Sequence, residues 1–190
     1  MSAHSQNSAS LRTPQWKLAA VGGIGIAVAA VLAAYAHRHP GNGATFATLG
    51  FSAMLPMKAW LTTAAAVLVL VQVISALVMW GKLDGTDAVL RAAPLVHRWS
   101  GTVAFLLTMP VVFHCVWSLG FADNSTRTLV HSMAGCLFYG AFSAKMLALR
   151  LRGLPGWAVP LLGGLLAALL TLLWFTSAAW YFKQPGVPKF

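Results

Sequence analysis

Histidine is the residue type that could do chemistry in this chain. Three of its six histidines, His97, His114 and His131, sit in apolar runs. An ionisable side chain there costs a few kcal/mol and is a functional candidate by default. His97 and His114 are 17 residues apart on one expected helix, which separates them by about 25 Å along the axis and assigns them to opposite leaflets. His131 follows a short turn and returns to the depth of His114, so these two are expected to share one site and to hold a metal there. Gly101 follows His97 by four positions and Gly135 follows His131 by four. Residues so spaced lie on one helix face, so each glycine is expected to leave a flat notch beside an imidazole. A haem b held in a helical bundle needs neutral imidazoles on facing helices, small residues under the macrocycle and cations for its propionates. Arg98 at the inner rim and Arg127 at the outer rim suit the last role. Pro110, one turn before His114, removes a backbone hydrogen bond and is expected to bend its helix.

The elements that carry these residues belong to lipid. The chain has 190 residues, is 58% hydrophobic and only 8% charged, and has a mean hydropathy of +0.73. Crossing the hydrocarbon core takes about 20 apolar residues as a helix. Five windows qualify, at about 17–36, 59–80, 95–119, 128–149 and 157–182. The expected fold is an all-α integral membrane protein with a single membrane domain over 17–182, flanked by tails at 1–16 and 183–190. Short connections make consecutive spans neighbours, so spans two to five form an antiparallel four-helix bundle with span one beside it. Ala34-Tyr35-Ala36 imitates a signal cleavage site, but the apolar stretch before it exceeds a usual signal core and reads as a retained helix.

Basic residues set the expected orientation. Eight lie on the N-terminal side of the membrane (Arg12, Lys17, Lys82, Arg91, Arg98, Lys145, Arg150 and Arg152), against five (Arg38, Lys58, Arg127, Lys183 and Lys189) opposite. This bias predicts a cytoplasmic N-terminus in a bacterial cytoplasmic (inner) membrane. Seven of the eight tryptophans fall at span ends, as an interfacial belt requires. The net charge of +10 is dispersed singly between apolar runs, which argues against nucleic acid as a partner.

The stretch His97-Arg98-Trp99-Ser100-Gly101, followed by His114 and His131, resembles the haem-binding helices of transmembrane b-type cytochromes, the cytochrome b561 and ferric reductase-like membrane domains. Met54-Leu55-Pro56-Met57-Lys58-Ala59-Trp60, His114-Cys115-Val116-Trp117 and Leu154-Pro155-Gly156-Trp157 are also similar to an uncharacterised bacterial family of small integral membrane proteins. The first resemblance implies bis-histidine haem b and electron transfer. Quinone or quinol would serve as a redox partner, alongside other redox membrane subunits or an extracytoplasmic cytochrome. Two-haem members need four histidines, and the inner leaflet here offers His97 alone, with Met146, Met79, Lys145 or no residue as its partner, so one haem is expected and not two. Where the axial pair comes from alternating helices, His37 or His39 would pair with His114 or His131.

Two other readings stand beside this one. Copper prefers soft sulfur with imidazole, which His37, His39, Met54, Met57, His114 and Cys115 would offer on one side. A cofactor-free accessory subunit would use its histidines only to bond between helices. Cys115 and Cys136 show no metal-site or disulfide spacing and read as small buried groups. Gly22, Gly23, Gly25, Gly163 and Gly164 read as close-packing positions. Asp84, Asp87 and Asp123 are the only acids and fall outside the spans, which excludes a membrane carboxylate base. An electron-transfer component is therefore expected in place of a stand-alone enzyme.

Overall fold

The computed structural model describes residues 15–185. Arg12, Lys189 and most of the two expected tails lie outside the described residues. Every regular element within them is helical. The helices are α1 (Gln15–Arg38), α2 (Met54–Met79), α3 (Asp87–Phe113), α4 (Thr126–Arg150) and α5 (Ala158–Trp174). α3 continues through a π-helical stretch, His114–Leu119, and α5 through a π-helical turn, Phe175–Ala179, before a last helical turn, Trp180–Lys183. With these extensions, five helices are long and apolar enough to cross a bilayer.

The boundaries follow local chemistry. Ser125 and Thr128 form a reciprocal capping box at the start of α4, the Ser125 hydroxyl accepting from Thr128 N at 3.2 Å and Thr128 Oγ1 accepting from Ser125 N at 3.1 Å. α3 begins at Asp87, eight residues before the expected span, because Thr86 caps it. That first section, residues 87–94, is exposed except at Ala93. α2 begins at Met54 instead of 59, which takes Lys58 out of a loop and puts it on the second helical turn.

Helix α1 lies on α4, α4 on α5, α5 on α2, and α2 on α3. All five spans pack into one helical assembly, with α1 against α4 more closely than α5 lies against α2, in place of a four-helix bundle with span one beside it. A Cβ on Gly140 would stand 2.4 Å from the Gly25 carbonyl oxygen, and one on Gly25 would stand 3.1 Å from both the Gly140 oxygen and Ala144 Cβ. Glycine permits this approach of two backbones, the usual device of helix association in lipid. Gly22, Gly23 and Gly164 would meet nothing within 4 Å, so of the expected packing glycines Gly25 makes the close approach, and it does so with Gly140.

Consecutive α3 and α4 depart from the neighbour rule, because close backbone approach between them is sparse. Large side chains span the gap instead. Phe105 stacks on Phe142 at 3.7 Å between centroids, and the Tyr139 hydroxyl donates to Thr108 O at 3.0 Å. The tryptophans at the span ends Trp16, Trp80, Trp99 and Trp157 are exposed, as a lipid-facing belt requires. Trp174, the one expected away from an interface, turns inward and donates its indole N–H to Thr63 Oγ1 at 3.0 Å.

Toward their connecting turn, α2 and α3 are tied by hydrogen bonds. Gln72 Nε2 donates to His97 O and, at 2.7 Å, to Ser100 Oγ. The hydroxyl of Ser75 is committed to Val71 O at 2.6 Å, so His97 Nδ1–H donates to Ser75 Oγ at 3.0 Å and to Gln72 O at 3.2 Å. We expect Gln72→Leu, which removes the hub of this network, to lower stability by about 1–2 kcal/mol. Thermal unfolding in detergent would show it, and an unchanged midpoint would refute the assignment.

Candidate functional site

The structure separates the histidines that the sequence suggested would converge. His114 is 1% exposed. Its Nδ1–H donates to Pro110 O at 2.7 Å, while Nε2 accepts from Phe46 N at 3.3 Å and lies 3.5 Å from Ala47 N. Both ring nitrogens are therefore committed to backbone, and the residue pins the 39–53 loop onto the end of α3. His131 sits elsewhere, in the wall of a cavity that His114 does not line. A shared iron between His114 and His131 does not fit this arrangement, because no ring nitrogen of His114 is free and the ring is turned toward the loop. Among the described residues, no group of three or more histidine, cysteine or acidic side chains converges as a metal site.

Other expected site residues divide in the same way. The notch at Gly101 is filled by a side chain, since a Cβ there would stand 2.9 Å from Gln72 Oε1, so the His97 face is closed by packing and cannot lie against a porphyrin. Neither His97 bond reaches Met79, Met146 or Lys145. Arg98 is exposed beyond this network. By contrast Gly135, Arg127 and His131 all line one cavity, and the nearest atom to a Cβ on Gly135 would be Leu173 Cδ2 at 3.9 Å. Of the copper candidates, Met57 is fully buried, His39 Nδ1 donates to Tyr35 O at 2.9 Å, and His37 lies edge-on to Phe121. They do not form one donor set.

The cavity has a volume of about 280 Å³ and lies at the end of the bundle where α3 and α4 stand apart. Thr108 and Tyr139, joined by their hydrogen bond, mark its deep end. Val111, Val112, Leu170 and Leu173 supply much of its apolar wall. Apart from the Thr108–Tyr139 pair its polar side chains are few, and most belong to the first turns of α2 and α4 and to the π-helical turn after α5. Lys58 and Arg127 are the two permanent cations, and no carboxylate lines the wall. Arg127 is held by a 2.7 Å bond from Nη1 to Thr176 O and by the Trp180 ring, 3.9 Å from Cζ.

One chain of hydrogen bonds runs through the wall. Thr176 gives its hydroxyl proton to Leu172 O at 2.8 Å, so its oxygen accepts from His131 Nδ1–H at 3.0 Å. That leaves the His131 Nε2 lone pair as an acceptor in a cavity wall that Cys115 and Lys58 also line. Cys115 belongs to the π-helical end of α3 and Thr176 to the π-helical turn of α5. Such turns widen a helix by one residue and re-aim its side chains.

Sequence reasoning missed Lys58, Cys115 and Thr176 as members of one site. Cys115 read as packing because no spacing rule links it to His131. Lys58 read as a loop residue, although it stands among apolar neighbours in Met57-Lys58-Ala59-Trp60, which was the available signal.

These observations define a class, a polytopic all-helical membrane protein with a cation-bearing apolar cavity beside α3 and α4. Residues 12–189 match the model of a family of unknown function, DUF6529, and the chain belongs to that family. No curated protein and no solved structure matches it. The family match carries no activity, and nothing in it points to b-type cytochromes or ferric reductases.

Proposed function

We propose that the protein binds an anionic amphiphile, a single apolar chain with a carboxylate or phosphate head, in the cavity beside α3 and α4. The observation that carries this reading is the lining itself: apolar over its depth, with Lys58 and Arg127 near the membrane surface and no acid to neutralise them. A head at the interface and a chain running toward the bundle centre match the polarity gradient of the wall. With the N-terminus in the cytoplasm of a bacterium, as the basic bias supports, this end of the bundle faces the extracytoplasmic leaflet.

Equilibrium binding to the detergent-solubilised protein tests it. Oleate should bind with a stoichiometry of one, and oleyl alcohol, which lacks the charge, at least about tenfold more weakly. The Lys58→Gln and Arg127→Gln changes should each weaken oleate without altering oleyl alcohol. Equal affinities for the two probes in the unmodified chain would sink the proposal.

Electron transfer through a bound quinone is the second reading. It is favoured by the presence of His131 and Lys58 in one wall, where Lys58 can donate to a quinone carbonyl and His131 Nε2 can accept from a quinol hydroxyl. Quinone analysis of the purified protein, with a visible spectrum before and after dithionite, separates the two. A reducible b-type band that is lost in His131→Ala would select the redox reading and the partners it implies.

A further inference from the structure

Arg127 and His131 stand four residues apart on α4, so they share one helix face, and both line the cavity. One residue of the last span holds them both. The Thr176 carbonyl accepts from Arg127 Nη1 at 2.7 Å, and the Thr176 hydroxyl oxygen accepts from His131 Nδ1–H at 3.0 Å. The Trp180 ring, 3.9 Å from Arg127 Cζ, packs against the guanidinium. With its proton on Nδ1, the neutral His131 ring carries a lone pair and no proton on Nε2. A cation and a bare acceptor are thereby fixed on one helical turn. Ser132 and Ser177, also in the wall, give their protons to Ala122 O at 3.0 Å and Leu173 O at 2.6 Å, so neither has a proton for an occupant. A carboxylate or phosphate oxygen is itself an acceptor and gains nothing from the His131 lone pair. A hydroxyl does.

We propose that the amphiphile bound here carries a hydroxyl beside its anionic group, as a 2-hydroxy acid or a glycerol phosphate does, with the anion on Arg127 and the hydroxyl donating to His131 Nε2. Arg127 alone would take any anionic head. The lone pair one turn away discriminates among them, because a head with no proton to give leaves Nε2 desolvated and without a partner. Thr176 is a positioning residue in this scheme: it sets the tautomer of His131 and anchors Arg127 through a different atom. The inference rests on the amphiphile-binding reading and narrows its head group.

The experiment is equilibrium binding of matched probes to the full-length protein in detergent, at a pH where each acid is ionised. 2-Hydroxypalmitate should bind about fivefold or more tightly than palmitate, which has the same chain and charge without the hydroxyl. 2-Methoxypalmitate, whose oxygen cannot donate, should show no such advantage. 1-Palmitoyl-glycerol 3-phosphate and its 2-deoxy analogue make the same comparison with a phosphate, and the tighter-binding pair identifies the anion. His131→Leu removes the acceptor and brings the hydroxyl-to-parent affinity ratio to about one. Thr176→Val frees the Nδ1–H from its partner, lets the ring exchange tautomers, and lowers the ratio by about twofold or more. Arg127→Gln weakens both members of a pair and leaves their ratio near that of the unmodified chain. Circular dichroism and monodisperse elution establish that each variant is folded. A ratio near one for both pairs in the unmodified chain, or an undiminished ratio in folded His131→Leu, would overturn this inference. If palmitate then still binds more tightly than uncharged hexadecanol, the amphiphile reading survives that failure; equal binding of palmitate and hexadecanol overturns the amphiphile reading itself.

Discussion

Replacing His114 by alanine should destabilise the protein by about 3–5 kcal/mol and free the 39–53 loop for proteolysis. The ring is almost fully buried, so its removal leaves a void. It also strips the Phe46 N–H of its acceptor and Pro110 O of its imidazole donor. The same loop is held by Gly43 N donating to Ser118 O at 2.8 Å, and Gly41 passes so close that a Cβ there would stand 2.0 Å from Ser118 O. Losing His114 therefore loosens a segment whose other holds include Gly43 on Ser118 and the Phe46 ring against Phe113. The measurements are the unfolding midpoint in detergent and the rate of cleavage between residues 39 and 53. His114→Gln, whose side-chain oxygen can accept from Phe46 N, should recover part of both. A pigment ligand would give another signature, with loss of colour and an intact loop. Wild-type cleavage of the loop in the alanine variant would refute the anchoring role.

Gly140→Leu should have a comparable effect by the opposite route. Here nothing is removed, and the added side chain meets backbone. Its Cβ alone would fall 2.4 Å from Gly25 O and 3.0 Å from Ala29 Cβ. Neither atom belongs to a flexible side chain that can swing aside, so α1 must move off α4. We expect a loss of about 3 kcal/mol or more, because overpacking against a backbone has no cheap relaxation. Gly22→Leu is the internal control, since a Cβ at Gly22 meets nothing within 4 Å and should change stability by less than about 0.5 kcal/mol. After cleavage of the 39–53 loop, α1 should separate from the remaining helices in the Gly140 variant and stay bound in the control. Co-elution of α1 with the rest of the Gly140→Leu protein would count against this packing.

The architecture was legible because lipid imposes a coarse code. Runs of about 20 apolar residues, loops broken by glycine and proline, and interfacial tryptophans place the five helices to within a few residues at most ends. The two large misplacements are of one kind. At Asp87 and at Met54 the helix begins before the expected span does: Thr86 caps the first, and Met54, Pro56 and Met57 are buried in the first turn of the second. The site was legible only in part. Arg127, His131 and Gly135 line the cavity as their positions at one end of the bundle suggested, whereas His114 does not. The sequence fixes depth along a helix but not rotation around it, and at similar depth His131 faces the bundle while His114 faces a loop. Gly101 and Gly135 share one spacing to a histidine, yet Gln72 fills the first notch and leaves the second open. That difference depends on what the neighbouring helix presents, which no spacing within one helix encodes.

The two π-helical segments, His114–Leu119 and Phe175–Ala179, have a consequence for how this protein can change. Each holds a residue more than an α-helical turn would, and one residue is worth about 100° of rotation about the axis. The presentation of Cys115 to the cavity and of Thr176 to His131 is thus a matter of phase. Point substitutions along the wall leave that phase alone. Deleting one residue from either segment restores ordinary helical winding and turns the following side chains toward different neighbours. Evolution by single-codon loss or gain at these two places can therefore re-line the cavity without substituting any residue of its wall.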